Sequence, residues 1–140
     1  MRSVLVTVVG ALAWSVASAQ TVPEGIHRPG GDHDQMCGLE GRDALDLMEK
    51  ARKSQELHRV DIQSSRFELF ETAKPKYQLV ITRPSEPAYP AVSCRHVYEQ
   101  DGALQMDRSM RCDAGRAACD ALFLEFQALD EKMKQAVQSK

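Results

Sequence analysis

Apolar residues recur at helical spacing near the C-terminus of the chain. They follow one another at steps of three and four residues, the repeat of one face of an α-helix. The positions are Ala118, Leu122, Phe126, Leu129, Met133 and Ala136. The pattern predicts a helix over residues 116–138 that packs on the protein's own sheet. Asp113 is placed to cap this helix, and Asp130 falls on the face that is predicted to be solvated.

A second helical pattern spans residues 39–60. Its apolar positions are Leu45, Met48, Ala51, Leu57 and Val60. Glu49 stands four residues before Lys53, a spacing that favours an ion pair on a helix surface. Acidic residues near the start and basic residues toward the end suit the helix dipole. We therefore expect an N-terminal helix over this range.

Between the two helices the pattern changes to the alternation of β-strands. The alternating positions are Phe67 and Leu69 in a first run, and Tyr77, Leu79 and Ile81 in a second. The break at 73–76, around Pro75, predicts a turn that joins these runs into an antiparallel hairpin. Residues 83–91 carry three prolines, which predicts an extended surface loop.

The dipeptide Asp101-Gly102 predicts a second hairpin, because Asp-Gly favours the two-residue turn that matches the twist of paired strands. This hairpin joins residues 92–100 to residues 103–111. Its facing pairs are Gln100 with Ala103, Val97 with Met106, His96 with Asp107 and Cys94 with Ser109. The side chains that then share the core face are Val97, Leu104, Met106 and Met110.

Together these elements predict an α+β fold. We expect a four-stranded antiparallel sheet made of the two hairpins, with the N-terminal and C-terminal helices gathered on one of its faces. Residues 20–36 contain glycines and prolines and few apolar residues, which predicts a flexible arm. A single disulfide-stabilised domain then occupies residues 37–140.

The first 19 residues have the pattern of a cleavable secretory signal peptide. Arg2 provides the positive start, and residues 4–16 form an apolar run that is shorter than the about 20 residues of a membrane span. Ala17-Ser18-Ala19 supplies the small residues of a cleavage site before Gln20. The sequence therefore predicts a periplasmic or secreted protein without a membrane span after cleavage. The alternative is an uncleaved N-terminal anchor.

The overall charge is close to balanced, with 18 Lys and Arg against 20 Asp and Glu and a formal net charge of −2. Such a chain lacks the concentrated positive potential that a phosphate backbone requires. We therefore do not expect a nucleic-acid partner.

Four cysteines follow the predicted signal peptide, at Cys37, Cys94, Cys112 and Cys119. An even number in an exported protein predicts two disulfides, for which three connectivities are possible. In the hairpin register Cys94 faces Ser109, so a bridge from Cys94 to Cys112 would need a bulge. The expected pairs are therefore Cys37 with Cys94 and Cys112 with Cys119. The six residues between the last two cysteines disfavour a redox motif, which has two.

Candidate catalytic residues are few. His96 opposite Asp107 is the one arrangement that suggests an oriented general base, and with it a small hydrolase. The alternative interpretation is a cross-strand polar pair on the outer face of the sheet. No catalytic residue and no cofactor is assigned on these grounds.

One group of side chains suggests a metal. His27, His33 and Met36 lie on the Gly-rich arm together with Asp34 and Cys37. Imidazole and thioether ligands suit copper, which makes periplasmic copper binding an alternative function. The spacing matches no closed metal site, so a polar tether between signal peptide and domain is the other interpretation.

Tyr89 is an aromatic residue on the stiff proline-rich loop, which is the kind of group that anchors a protein partner. The alternative is that it folds back onto the sheet. With small size, disulfides and no catalytic constellation, the favoured hypothesis is a small exported, non-catalytic module of the inhibitor, immunity or envelope accessory type. Its partner would be another envelope or secreted protein.

Overall fold

A computed structural model describes residues 26–27, 35–73 and 76–139. The predicted signal peptide and its cleavage site lie outside these ranges. The elements in chain order are β1 (Ile26–His27), β2 (Gln35–Met36), β3 (Leu39–Glu40), α1 (Ala44–Lys53), β4 (His58–Val60), β5 (Phe67–Glu71), β6 (Tyr77–Thr82), β7 (Ala91–Gln100), β8 (Ala103–Cys112) and α2 (Arg116–Gln138).

The main sheet has the strand order β1-β8-β7-β6-β5-β4, with all pairs antiparallel except that of β1 with β8. The predicted four-stranded sheet is therefore too small, because β4 and β1 extend the two hairpins at opposite edges. A separate hairpin pairs β2 with β3. Inside the predicted second hairpin the register is confirmed, with Val97 opposite Met106 and His96 opposite Asp107.

The two helices lie on opposite faces of the main sheet, so the expectation that they share one face is wrong. Leu79 belongs to the apolar cluster that contains α1, whereas its neighbour Val80 packs against the cluster of α2. Adjacent residues of a strand point to opposite faces. The central strands are thus covered on both sides, which gives a three-layer arrangement.

The first helix is much shorter than the predicted range of 39–60. The hydroxyl of Ser54 accepts hydrogen bonds from the backbone N–H groups of Glu56 and Leu57 at 3.2 and 3.3 Å, a local turn that competes with helical hydrogen bonding. The chain then pairs with β5 as the edge strand β4. The ion pair of Glu49 with Lys53 is confirmed at 2.5 Å, whereas Leu45 points to solvent.

The bounds predicted for the second helix are confirmed, but its details differ. Its first turn follows Gly115 and has no side-chain cap. Asp113 instead accepts a hydrogen bond from the backbone N–H of Ala44 at 2.7 Å and so caps α1. The buried face of α2 includes Asp130, 5% exposed, while Leu129 is 48% exposed. The core-facing stripe is therefore rotated away from the predicted one.

Both predicted disulfides are confirmed, Cys37–Cys94 and Cys112–Cys119. The first lies in the cluster of α1, and the second joins β8 to α2. Two such bonds indicate an oxidising compartment. Asp101 and Gly102 both have positive φ, as the predicted two-residue turn requires. Within the described ranges no helix has the length and apolar character needed to cross a membrane.

Candidate functional site

A row of polar side chains crosses the face of the sheet that α2 covers. Glu71, Gln78, Arg95 and Arg108 stand directly opposite one another on β5, β6, β7 and β8. Side chains that oppose one another in a sheet share a face and interact. The row is continuous in hydrogen bonds over its first three members, because Gln78 donates to Glu71 and accepts from Arg95.

Asp130 of α2 completes this row from above. Its carboxylate accepts two hydrogen bonds from Arg108, at 2.6 and 2.7 Å, and one from Arg95 NH1 at 2.8 Å. Burial opposes ionisation of Asp130, but the bonds and charges of Arg108 and Arg95 outweigh it and hold its pKa below the usual range. The helix is therefore joined to the sheet by a buried charge cluster of two cations and one anion.

Arg95 is incompletely satisfied in this cluster. The residue is 8% exposed, and its buried Nε–H has no acceptor among the described residues. NH1 also contacts the sulfur of Met133 at 3.0 Å, which is a weak acceptor. A buried guanidinium with an unused donor is unusual, because such groups normally find partners.

A cleft of about 440 Å³ lies beside the cluster, between α2 and the strands β5 and β6. Its apolar lining consists of Ile62, Phe67, Leu69, Val80, Phe126, Ala128 and Leu129, and its polar lining of Gln78, Arg95, Arg108, Glu125 and Lys132. A mainly apolar cleft of about 300–1,000 Å³ with a few convergent polar groups is the usual form of a ligand site.

One end of the cleft is closed by contacts between α2 and the start of β5. The rings of Phe67 and Phe126 are 5.5 Å apart. Arg66 donates two hydrogen bonds of 2.9 Å to Glu125 and one of 2.6 Å to Glu86, and these raise the pKa of Arg66. The hydrogen bonds from Arg66 also lower the pKa of Glu125, so this acidic rim residue stays ionised and is paired with Arg66.

The structure brings His96 and Asp107 together across β7 and β8 without joining them directly. The His96 ring lies 4.9 Å from the rings of both Tyr77 and Tyr98. The Tyr98 hydroxyl donates to Asp107, which raises the pKa of Tyr98. Among the described residues no hydrogen bond links His96 to Asp107, so the carboxylate orients a phenol and not the imidazole.

Of the candidate metal ligands, Met36 and Cys37 have side chains that the structure describes. Met36 is 1% exposed in the core, and its sulfur accepts from Ser109 at 3.5 Å. Cys37 is in a disulfide, His27 lies in β1, and His33 is outside the described residues. No group of three His, Cys, Asp or Glu side chains that could hold a metal occurs within the described ranges.

Tyr89 is half-buried and packs against the apolar cluster of α1, as expected for an aromatic side chain that folds back onto the sheet.

The residues that the sequence analysis did not identify as a site are Arg95, Arg108 and Asp130. The hairpin register itself carried the signal, because it places Arg95 opposite Arg108 on the face of Val97 and Met106. Two facing cations on a core face require a buried counterion, and Asp130 is one helical turn beyond Phe126.

Comparison with protein-family models, curated proteins and solved structures finds no match to this chain.

Proposed function

We propose that the protein is an exported, non-catalytic binding module that takes an apolar segment of another envelope or secreted protein into the cleft between α2 and the sheet. Periplasm or secretion is the compartment that fits the signal-like N-terminus and the two disulfides. The inhibitor, immunity and envelope accessory classes all match a module of this size.

The single observation that carries the proposal is the cleft itself. Leu69 and Val80 remain only partly buried in the centre of a sheet face, and Leu129 leaves about half of its surface to solvent at the rim. Burying apolar surface of this kind contributes roughly 25 cal/mol per Å². A partner's apolar side chain would cover all three residues at once.

The test uses a pool of short random peptides with free ends. Peptides retained by the immobilised protein are titrated individually into ¹⁵N-labelled protein, and amide shifts are expected around the cleft. Leu129→Lys places a charge at the rim and is expected to weaken binding about tenfold or more. The matched control is Leu124→Lys, on the same helix, 55% exposed and outside the cleft lining; it is expected to bind like the parent.

Two outcomes contradict the proposal. One is a pool from which no peptide is retained above the level of an unrelated disulfide-bonded domain. The other is a set of binders whose affinity is unchanged by Leu129→Lys or whose amide shifts lie away from the cleft.

A further inference from the structure

We propose that the cleft recognises the carboxyl-terminal residue of its partner, with Arg95 binding the terminal carboxylate and the apolar lining binding the last side chain. This rests on the proposed function and names the chemistry that the cleft selects.

The first argument is charge complementarity. Two guanidinium groups, Arg95 and Arg108, share the one carboxylate of Asp130. At the closed end of the cleft Arg66 pairs with both Glu125 and Glu86, whereas none of the described residues forms an ion pair with Lys132. Glu71, at the far end of the polar row, is separated from Arg95 by the neutral side chain of Gln78. The side of the cleft next to Arg95 is therefore positively charged.

The second argument is independent of charge and concerns hydrogen bonding. The Nε–H of Arg95 has no acceptor among the described residues, and its NH1 contact with Met133 is to a thioether. A carboxylate bound in the cleft would offer Arg95 a charge-assisted acceptor, which is stronger than a neutral one. The unpaired Nε–H and the weak thioether contact identify Arg95 as the group that would bind an anion.

The third argument selects a chain terminus as the source of that anion. The charged edge formed by Arg95 adjoins the apolar floor of Leu69 and Val80 in one cleft. A C-terminal residue carries a carboxylate and an apolar side chain within a few bonds of each other. The rim at Leu129 is half exposed, so the rest of the partner chain can leave the cleft toward solvent. Capture of C-terminal carboxylates is an established mode of peptide recognition.

The experiment compares acids with their amides. Short N-acetylated peptides ending in Leu or Phe are titrated as free acids and as C-terminal carboxamides, with decanoate as a free aliphatic acid. The free peptide acid is expected to bind about tenfold or more tightly than its amide. Arg95→Gln is expected to remove that preference while keeping binding of the amide. Lys132→Gln changes an exposed side chain and leaves the buried cluster intact. It is expected to reduce the preference for the acid partially. This variant keeps the test decisive if Arg95→Gln does not fold.

Each outcome separates the two proposals. If amides bind in the cleft as tightly as acids, the carboxylate inference is wrong and the proposed function stands. If decanoate binds in the cleft and the peptide acids do not, the chain-terminus inference is wrong. The proposal that the partner is a protein is then wrong as well. If none of the three probes binds, the carboxylate inference is wrong, and the peptide pool decides whether the proposed function fails as well.

Discussion

Arg108 binds Asp130 through two hydrogen bonds, from Nε to Oδ2 at 2.6 Å and from NH2 to Oδ1 at 2.7 Å. The side chains are 6% and 8% exposed, respectively. The Arg108 guanidinium also stacks over the ring of Phe126 at 4.7 Å from its centroid. The pair thus fixes α2 to β8 at the edge of the cleft, with both charged groups largely buried.

Removing one member of this pair leaves the other charge buried and uncompensated. We expect Asp130→Asn to lower the free energy of unfolding by roughly 3–5 kcal/mol in urea titrations at neutral pH. The matched control is Asp120→Asn, on the same helix, where the carboxylate pairs with Arg116 at 3.5 Å near the surface; its expected effect is below about 1 kcal/mol. Equal effects of the two substitutions would contradict the assigned role of Asp130.

The same carboxylate makes the stability depend on acid pH. The pKa of Asp130 is lowered in the folded state, whereas in the unfolded chain it returns to about 3.9. Its contribution is therefore complete above the unfolded pKa and is lost as the pH falls through the folded pKa. We expect the parent protein to lose stability between pH 5 and pH 3, measured by urea titration. Asp130→Asn should show a shallower loss, with the remainder coming from carboxylates such as Glu68, whose pKa is also lowered. An identical slope in both proteins would be evidence against this account.

Gly41 is held close to the core by α1. A Cβ at this position would lie 2.4 Å from Cγ and 2.6 Å from Cδ2 of Leu47, a fully buried residue. We expect Gly41→Ala to lower the free energy of unfolding by about 1–3 kcal/mol, because the core cannot move aside freely. Gly115→Ala is the control, since a Cβ there meets nothing within 4 Å. A parent-like thermal midpoint for Gly41→Ala would show that the packing around Leu47 is looser than described.

The two disulfides close loops of different length. Cys37–Cys94 has a sequence separation of 57 and Cys112–Cys119 one of 7. Loop-closure entropy predicts a larger loss for the pair of serine substitutions at Cys37 and Cys94, about 4 kcal/mol, than at Cys112 and Cys119, about 2.5 kcal/mol. Chemical denaturation of the two double variants measures both values. The reverse order would mean that native-state strain or residual unfolded structure dominates.

Asp113 stabilises a helix that begins 69 residues before it. Asp113→Ala removes the acceptor of the Ala44 N–H and the carboxylate beside the buried Arg111. We expect a loss of about 1–3 kcal/mol, comparable to the loss of a cap plus part of a buried pair. Amide hydrogen exchange should quicken at the start of α1 and stay unchanged in the first turn of α2. Faster exchange confined to α2 would contradict the assignment.

Turn preferences and apolar periodicity predicted the features that depend on residues close together in the sequence. The Asp101-Gly102 turn determined the register of β7 and β8, and that register in turn indicated the correct disulfide pairs. The bounds of α2 followed from its long apolar repeat. Each of these features depends on backbone preferences or periodicity that a single segment carries.

The remaining features depend on contacts between distant segments. Strand β4 has three residues, too few for alternation to identify, and it exists because β5 offers an unpaired edge. The burial of Asp130 requires Arg95 and Arg108 to arrive from another part of the chain. The sheet is covered by a helix on each face, and β7 accordingly begins with five consecutive buried residues. Such a run is typical of strands that are buried on both faces. In a single sequence such a run also fits a one-sided hairpin.

The Cys37–Cys94 bond closes a covalent ring that contains α1 and the strands β3, β4, β5 and β6. A protease that cuts inside this ring, for instance at the exposed residues Gln55 and Glu56, opens the ring and releases neither piece. The nicked protein would keep its mass under non-reducing conditions and separate into two fragments only after reduction. In a compartment rich in proteases, a first cut therefore breaks one backbone bond of this domain and leaves its layers covalently connected.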